Sequence, residues 1–116
     1  MDKTFKINIE KKTLKNRFYR KVIHTTEQSQ LVLMSIPPGD DIDKEKHRNT
    51  TQFIRVESGN GIAYVNHKKY ILKDGDCLVI PPNTVHYIKN NSNKSLKLYT
   101  LYSPPEHPID FIEKNH

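Results

Sequence analysis

Short apolar runs alternate with turn signals at nearly even spacing, and this limits the fold more than any other feature of the chain. FKINI (5–9), YRKVIHT (19–25) and QLVLMSI (30–36) are rich in β-branched or aromatic residues and are separated by polar stretches. The turn PPGDD (37–41) follows, then a charged segment over 42–48, TQFIRVE (51–57), the turn SGNG, and IAYV (62–65). Residues 66–69, NHKK, reverse the chain into YILK (70–73), and Asn66 suits a hairpin because asparagine tolerates a left-handed backbone. DGD (74–76), CLVI (77–80), PPNT (81–84), VHYIK (85–89) and LKLYTLY (96–102) complete the pattern. Strands this short and this evenly spaced predict an all-β sandwich or barrel. No window of useful length carries a capped helical period, and the tail SPPEHPIDFIEKNH is expected to hold one short helical turn at most.

A chain of 116 residues without an internal repeat or low-complexity linker is one domain. Its hydrophobic content of 34% and lack of Trp make for a lean core, which would gain from a second copy. A homodimer is therefore expected, with the outward Phe53 and an N-terminal strand such as FKINI at the interface. The net charge of +6 is spread along the chain with no DNA-binding motif, so it predicts a solvated basic surface and no nucleic acid partner. No apolar run is long enough to span a membrane, and MDKTFKINIE lacks the apolar segment of a signal peptide. The single Cys77 excludes an internal disulfide and fits a reducing, cytoplasmic setting; within CLVI it is expected to be buried.

The segment DIDKEKH, between apolar runs, is the anomaly. If it is extended, Asp43, Glu45 and His47 share one face while Lys44, Lys46 and Arg48 share the other. Gln52 follows with Ile54 and Val56 on its face, and His86 shares a face with Ile88, so these polar side chains are expected to point inward. Singly, each has a plain structural reading: Glu45 paired with a surface Lys, His47 and His86 as satisfied core histidines, Gln52 bonded to backbone. Together they place a carboxylate, two imidazoles and an amide in an apolar interior. Unpaired, each would cost about 1–3 kcal/mol. A divalent metal satisfies all four, because each offers a lone pair. His67 is expected in a solvated turn, and His107 is the tail residue that could fold over a barrel mouth.

The spacing then carries a resemblance. Gly39, five residues, Glu45, one residue, His47, four residues, Gln52, six residues and Gly59 follow the first motif of the cupin superfamily. That motif has His where this chain has Glu45, and Glu where it has Gln52. Gly75, Pro81, Asn83, His86 and Asn90 keep every spacing of the second motif, with Asn83 at a glycine position. The chain resembles small single-domain cupins, of the kind likened to mannose-6-phosphate isomerase, over about residues 30–105. The resemblance implies a double-stranded β-helix, or jelly-roll barrel, with N-terminal strands (1–29) and a Pro-rich tail (103–116) packed on it. It also implies a metal held by Glu45, His47, Gln52 and His86.

The paired exchange keeps one carboxylate among the ligands but moves the set to two nitrogens and two oxygens. Iron(II), manganese, nickel or zinc then rank ahead of copper(I). Three activities fit: a metal-dependent enzyme on a small sugar-like or keto-acid substrate, a non-catalytic module sensing a small ligand, or a metal-free epimerase-like cupin using a His–carboxylate pair. No phosphate loop or nucleophile elbow narrows the choice.

Overall fold

The computed structural model describes residues 3–116. Among them are ten strands and one short helix. The strands, in chain order, are β1 (Arg20–Thr25), β2 (Gln30–Ile36), β3 (Asp41–Glu45), β4 (Thr51–Ser58), β5 (Gly61–Val65), β6 (Lys68–Leu72), β7 (Cys77–Ile80), β8 (His86–Lys89), β9 (Leu96–Ser103) and β10 (Ile112–Glu113). A six-stranded sheet runs β10-β1-β2-β9-β4-β7 and a four-stranded sheet runs β3-β8-β5-β6, with every pairing antiparallel. This is the all-β, single-domain jelly-roll expected from the spacing of the runs.

Alternation builds the core. Along β4, Gln52, Ile54 and Val56 are buried while Phe53 and Arg55 face the half-exposed side, and β9 alternates likewise from Leu96 to Tyr102. These residues join Tyr19, Val32, Met34, Ile36, Ile42, Ile80 and Ile88 in one apolar cluster between the sheets. Burying one such large side chain contributes about 1.5–3 kcal/mol. The β5–β6 hairpin turns on Asn66 at φ 55°, as the asparagine there predicted.

Two expectations fail, the strand at FKINI and the burial of Cys77. FKINI is not a strand: Asn8 caps a helix, α1 (Ile9–Lys15), by accepting from the Lys11 N–H at 3.0 Å. Only Thr13 of that helix is buried, so its apolar stripe is too narrow to register as a helical period. The tail forms no helix; its Ile112 and Glu113 pair as β10 with Lys21 and Arg20. Cys77 is exposed, because β7 is an edge strand whose outer face, with Val79, no element covers among the described residues. The second-motif Gly75 lies in the turn before β7 and does not begin it. Among the described residues, no helix is long and apolar enough to cross a membrane.

Candidate metal centre

Strand β3 is where the interior turns polar. Ile42 pairs with Ile88 and Glu45 with His86, so three steps along β3 match two along β8. One extra residue is bulged out. Ile42 is buried and Glu45 half-buried, while Asp43 and Lys44 are both exposed. Strict alternation predicted Asp43 on the face of Glu45 and His47; the bulge overturns that and leaves only Glu45 and His47 inward. Lys44, Lys46 and Arg48 lie on the exposed side.

Ligand atoms of Glu45, His47 and His86 lie within 4.8 Å of one another. Glu45 ends β3, His47 stands in the loop beyond it, and His86 opens β8 after the PPNT turn. Asn83 in that turn holds φ 62°, and its N–H donates to the His47 carbonyl at 2.6 Å, tying the two ligand segments together. Gln52 projects from β4 in the opposite sheet and is 2% exposed. The second-motif Asn90 serves the backbone instead: its amide nitrogen donates to the carbonyls of Ile36 and Lys94.

The outer contacts fix which atom of each residue faces inward. His86 Nδ1 is 3.0 Å from the Thr84 carbonyl and His47 Nδ1 is 2.9 Å from Glu106 Oε1. A carbonyl can only accept, so His86 carries its proton on Nδ1 and leaves a lone pair on Nε2, whereas His47 has a carboxylate against each of its nitrogens. Gln52 Nε2 donates to Thr100 Oγ1 at 3.2 Å and to the Tyr102 hydroxyl at 3.3 Å, which leaves Oε1 as the free acceptor. His47 Nε2 approaches Glu45 Oε2 at 2.8 Å without hydrogen-bond alignment.

His86 Nε2 and Gln52 Oε1 are therefore buried with no hydrogen-bond partner, while His47 Nε2 faces the Glu45 carboxylate. A single orphan of this kind costs about 1–3 kcal/mol. Two orphaned acceptors, with His47 and the Glu45 carboxylate gathered against His86, suit a cation, so the residues present fit a divalent metal ion.

At Glu45 and His86, electrostatics favour the metal-binding state. Burial works against the Glu45 charge, but His47, Arg20 and His86 outweigh it and hold the carboxyl below its ordinary range. Burial pushes His86 down, toward the neutral imidazole that a metal requires. Without a metal, the Glu45 carboxylate beside His47 raises that imidazole against the opposing effect of burial, and Glu106 adds to the rise.

Two neighbours, Arg20 and Glu106, escaped sequence reasoning. Arg20, on β1, lies 3.8 Å from Glu45 and 2.7 Å from Glu113. Glu106 and His107 arrive on the tail, where Gln30 latches them: its Oε1 accepts from both backbone N–H groups and its Nε2 donates to the His107 carbonyl at 2.7 Å. The His107 ring stands edge-on to Tyr102 and stacked on Phe111, with burial lowering its pKa to about 4. The buried Gln30 was the available signal, since an amide at an inward strand position needs partners. His67 is exposed in its turn.

The family model described as cupin domain matches residues 32–102. An uncharacterized protein of Acanthamoeba polyphaga mimivirus is 46% identical over 116 residues, which cover 97% of this chain and 72% of that protein. An uncharacterized protein of Bacillus subtilis is 36% identical over 118 residues, covering 97% of this chain and 63% of its own length. The crystal structure of a Bacillus halodurans protein superposes with a TM-score of 0.94 at 37% identity, covering 96% of this chain and 89% of that one.

Proposed function

The chain belongs to the cupin family, and from that premise we propose that Glu45, His47, Gln52 and His86 hold one divalent transition-metal ion in a barrel that acts on a small polar ligand. The observation that carries this reading is the pair of unpartnered buried acceptors, His86 Nε2 and Gln52 Oε1, together with the clustering of His86 against His47 and the Glu45 carboxylate. Two nitrogens and two oxygens suit iron(II), manganese, nickel or zinc. Such an ion supplies Lewis acidity toward a carbonyl or hydroxyl oxygen.

The chain's own residues do the rest. Arg20 keeps Glu45 ionised, Glu106 orients His47, and Thr100 with Tyr102 orients Gln52. His107 is an unprotonated imidazole beside Tyr102 whose Nε2 has no partner, so it can take a proton from a bound hydroxyl. A tail folded over the polar interior favours a compact ligand, carbohydrate-like or a keto acid, and an isomerase-like proton transfer. The substrate class rests on the likeness to small cupins compared with mannose-6-phosphate isomerase. The lone thiol of Cys77 fits a cytoplasmic setting.

A second reading draws on the Glu45–His47 pair itself. With 2.8 Å between carboxylate and imidazole, and Glu106 on the far nitrogen, the pair could work without a metal, as a proton-transferring or ligand-sensing dyad. Elemental analysis of protein purified without chelator separates the two. About one transition-metal ion per chain is expected, and its loss in His86→Ala. Metal-free protein that still binds its ligand would establish the dyad instead.

A further inference from the structure

Away from the metal centre, a cavity of about 500 Å3 opens where the entry to β1, strands β2 and β9, and the last three residues of the chain meet. Arg17, Lys97 and Lys114 line it, together with His116, and Asp40 is the one carboxylate side chain on its wall. Asp40 is already engaged: His116 Nδ1 lies 2.7 Å from it, and His116 Nε2 lies 3.0 Å from Asp43. Among the described residues, no carboxylate forms an ion pair with Arg17, Lys97 or Lys114. The cavity is thus ringed by cations that the protein leaves unmatched.

Its floor is built from the fold. Lys97, half-withdrawn from solvent, sits on β9 directly opposite the buried Ser35 of β2, and its ammonium donates to the Asn16 carbonyl. Burial, and then the like charge of Arg17, depress the Lys97 pKa. Tyr19 stacks on His116 with ring centroids 4.4 Å apart and planes 3° from parallel, which makes the imidazole a fixed wall. Like charges gathered around one cavity repel, and a bound anion is what turns that repulsion into attraction. Arginine offers a planar fork to an oxyanion and lysine a point charge, the usual pair for phosphate. The volume exceeds that of a bare phosphate and lies in the range of small-molecule sites.

We propose that this cavity is a second ligand site, independent of the metal centre, that binds the phosphate group of a small phosphorylated molecule through Arg17, Lys97 and Lys114. His116 contributes charge but no free donor, since both its nitrogens are occupied. The ring of the metal centre plays no part, so the proposal stands whether or not the barrel holds a metal.

Calorimetric titration at low ionic strength tests it, with inorganic phosphate, glycerol phosphate and glycerol as probes. Both phosphates should bind and raise the melting temperature, while glycerol should do neither. Arg17→Gln and Lys114→Gln, both exposed and therefore expected to fold, should each weaken phosphate binding about tenfold, the loss of one charge-assisted hydrogen bond. Lys97→Gln should do the same where it folds. Lys44→Gln, a cation outside the cavity, should change nothing. Absence of phosphate binding overturns the proposal, and so does a Lys44→Gln loss equal to that of Arg17→Gln, which would reveal attraction to net charge alone.

Discussion

His47 Nδ1 and Glu106 Oε1 stand 2.9 Å apart, joining the loop after β3 to a tail that enters more than fifty residues later in the sequence. The carboxylate anchors the Nδ1 edge of the imidazole and so decides that Nε2 faces inward. Glu106→Gln keeps the shape but removes the charge, and it should lower metal affinity about 10–100-fold with little effect on folding. Competition with a chromophoric chelator measures this. Unchanged affinity would mean that the tail covers the site without tuning it.

The exchanged pair at 45 and 52 makes a sharper test. Glu45→Gln removes the one carboxylate and should weaken metal binding more than tenfold, while Arg20 keeps Glu113 at 2.7 Å and the sheet stays intact. Gln52→Glu should tighten binding of hard cations, with Thr100 and Tyr102 turning their hydroxyls to donate. Glu45→His combined with Gln52→Glu restores the charge count and should recover affinity non-additively, as two ligands of one ion must. Wild-type affinity in Glu45→Gln would remove Glu45 from the ligand set.

Changing Lys44, Lys46 and Arg48 together to Ser should leave metal content unaltered, since all three are exposed. Elemental analysis of the triple variant checks the inward face. Loss of metal would place one of these cations in the site after all.

The His116 pKa rises to about 9 because Asp40 and then Asp43 hold its charged form. A folded-state value above the unfolded one of about 6.5 contributes stability that is fully present below that pH and is lost as pH climbs through 9. The melting-temperature gap between wild type and His116→Gln should therefore be larger at pH 6 than at pH 10. Salt should narrow it, because the pair is open to solvent. An equal gap at both pH values would detach His116 from the two carboxylates.

A homodimer is expected from the lean core and from apolar side chains left open on edge strands, where Ile71 is 65% and Val79 59% exposed. The helix at Ile9–Lys15 removes FKINI as an interface strand, so β6 and β7 are the surfaces to cover. Light scattering at micromolar concentration should give twice the chain mass. A monomer would contradict it.

Most strands were legible because period-two burial is written directly in runs such as QLVLMSI and LKLYTLY. The inward set Glu45, His47, Gln52 and His86 was legible because motif spacing survives even where ligand identity changes. Three kinds of feature were not. Helix α1 rests on a cap at Asn8 and one buried threonine, too little periodicity to read. The exposure of Cys77 depends on which strand ends up at a sheet edge, a property of topology and not of CLVI itself. Arg20 and Glu106 reach the site through β10 pairing and the Gln30 latch, contacts between residues about eighty to ninety apart.

The extra residue on β3 has a consequence for length variation. Deleting Lys44 would turn the bulged strand into a regular one, with Ile42 and Glu45 still facing inward opposite Ile88 and His86. A deletion of one residue here should therefore leave the polar cluster assembled, whereas the same event between His86 and Ile88 would rotate one of them out of the barrel. Evolution can shorten the stretch from Gly39 to Glu45 by a residue without turning Glu45 outward. Relatives whose first motif is one residue short would present the same inward pair, and a search for them should permit a gap at that place.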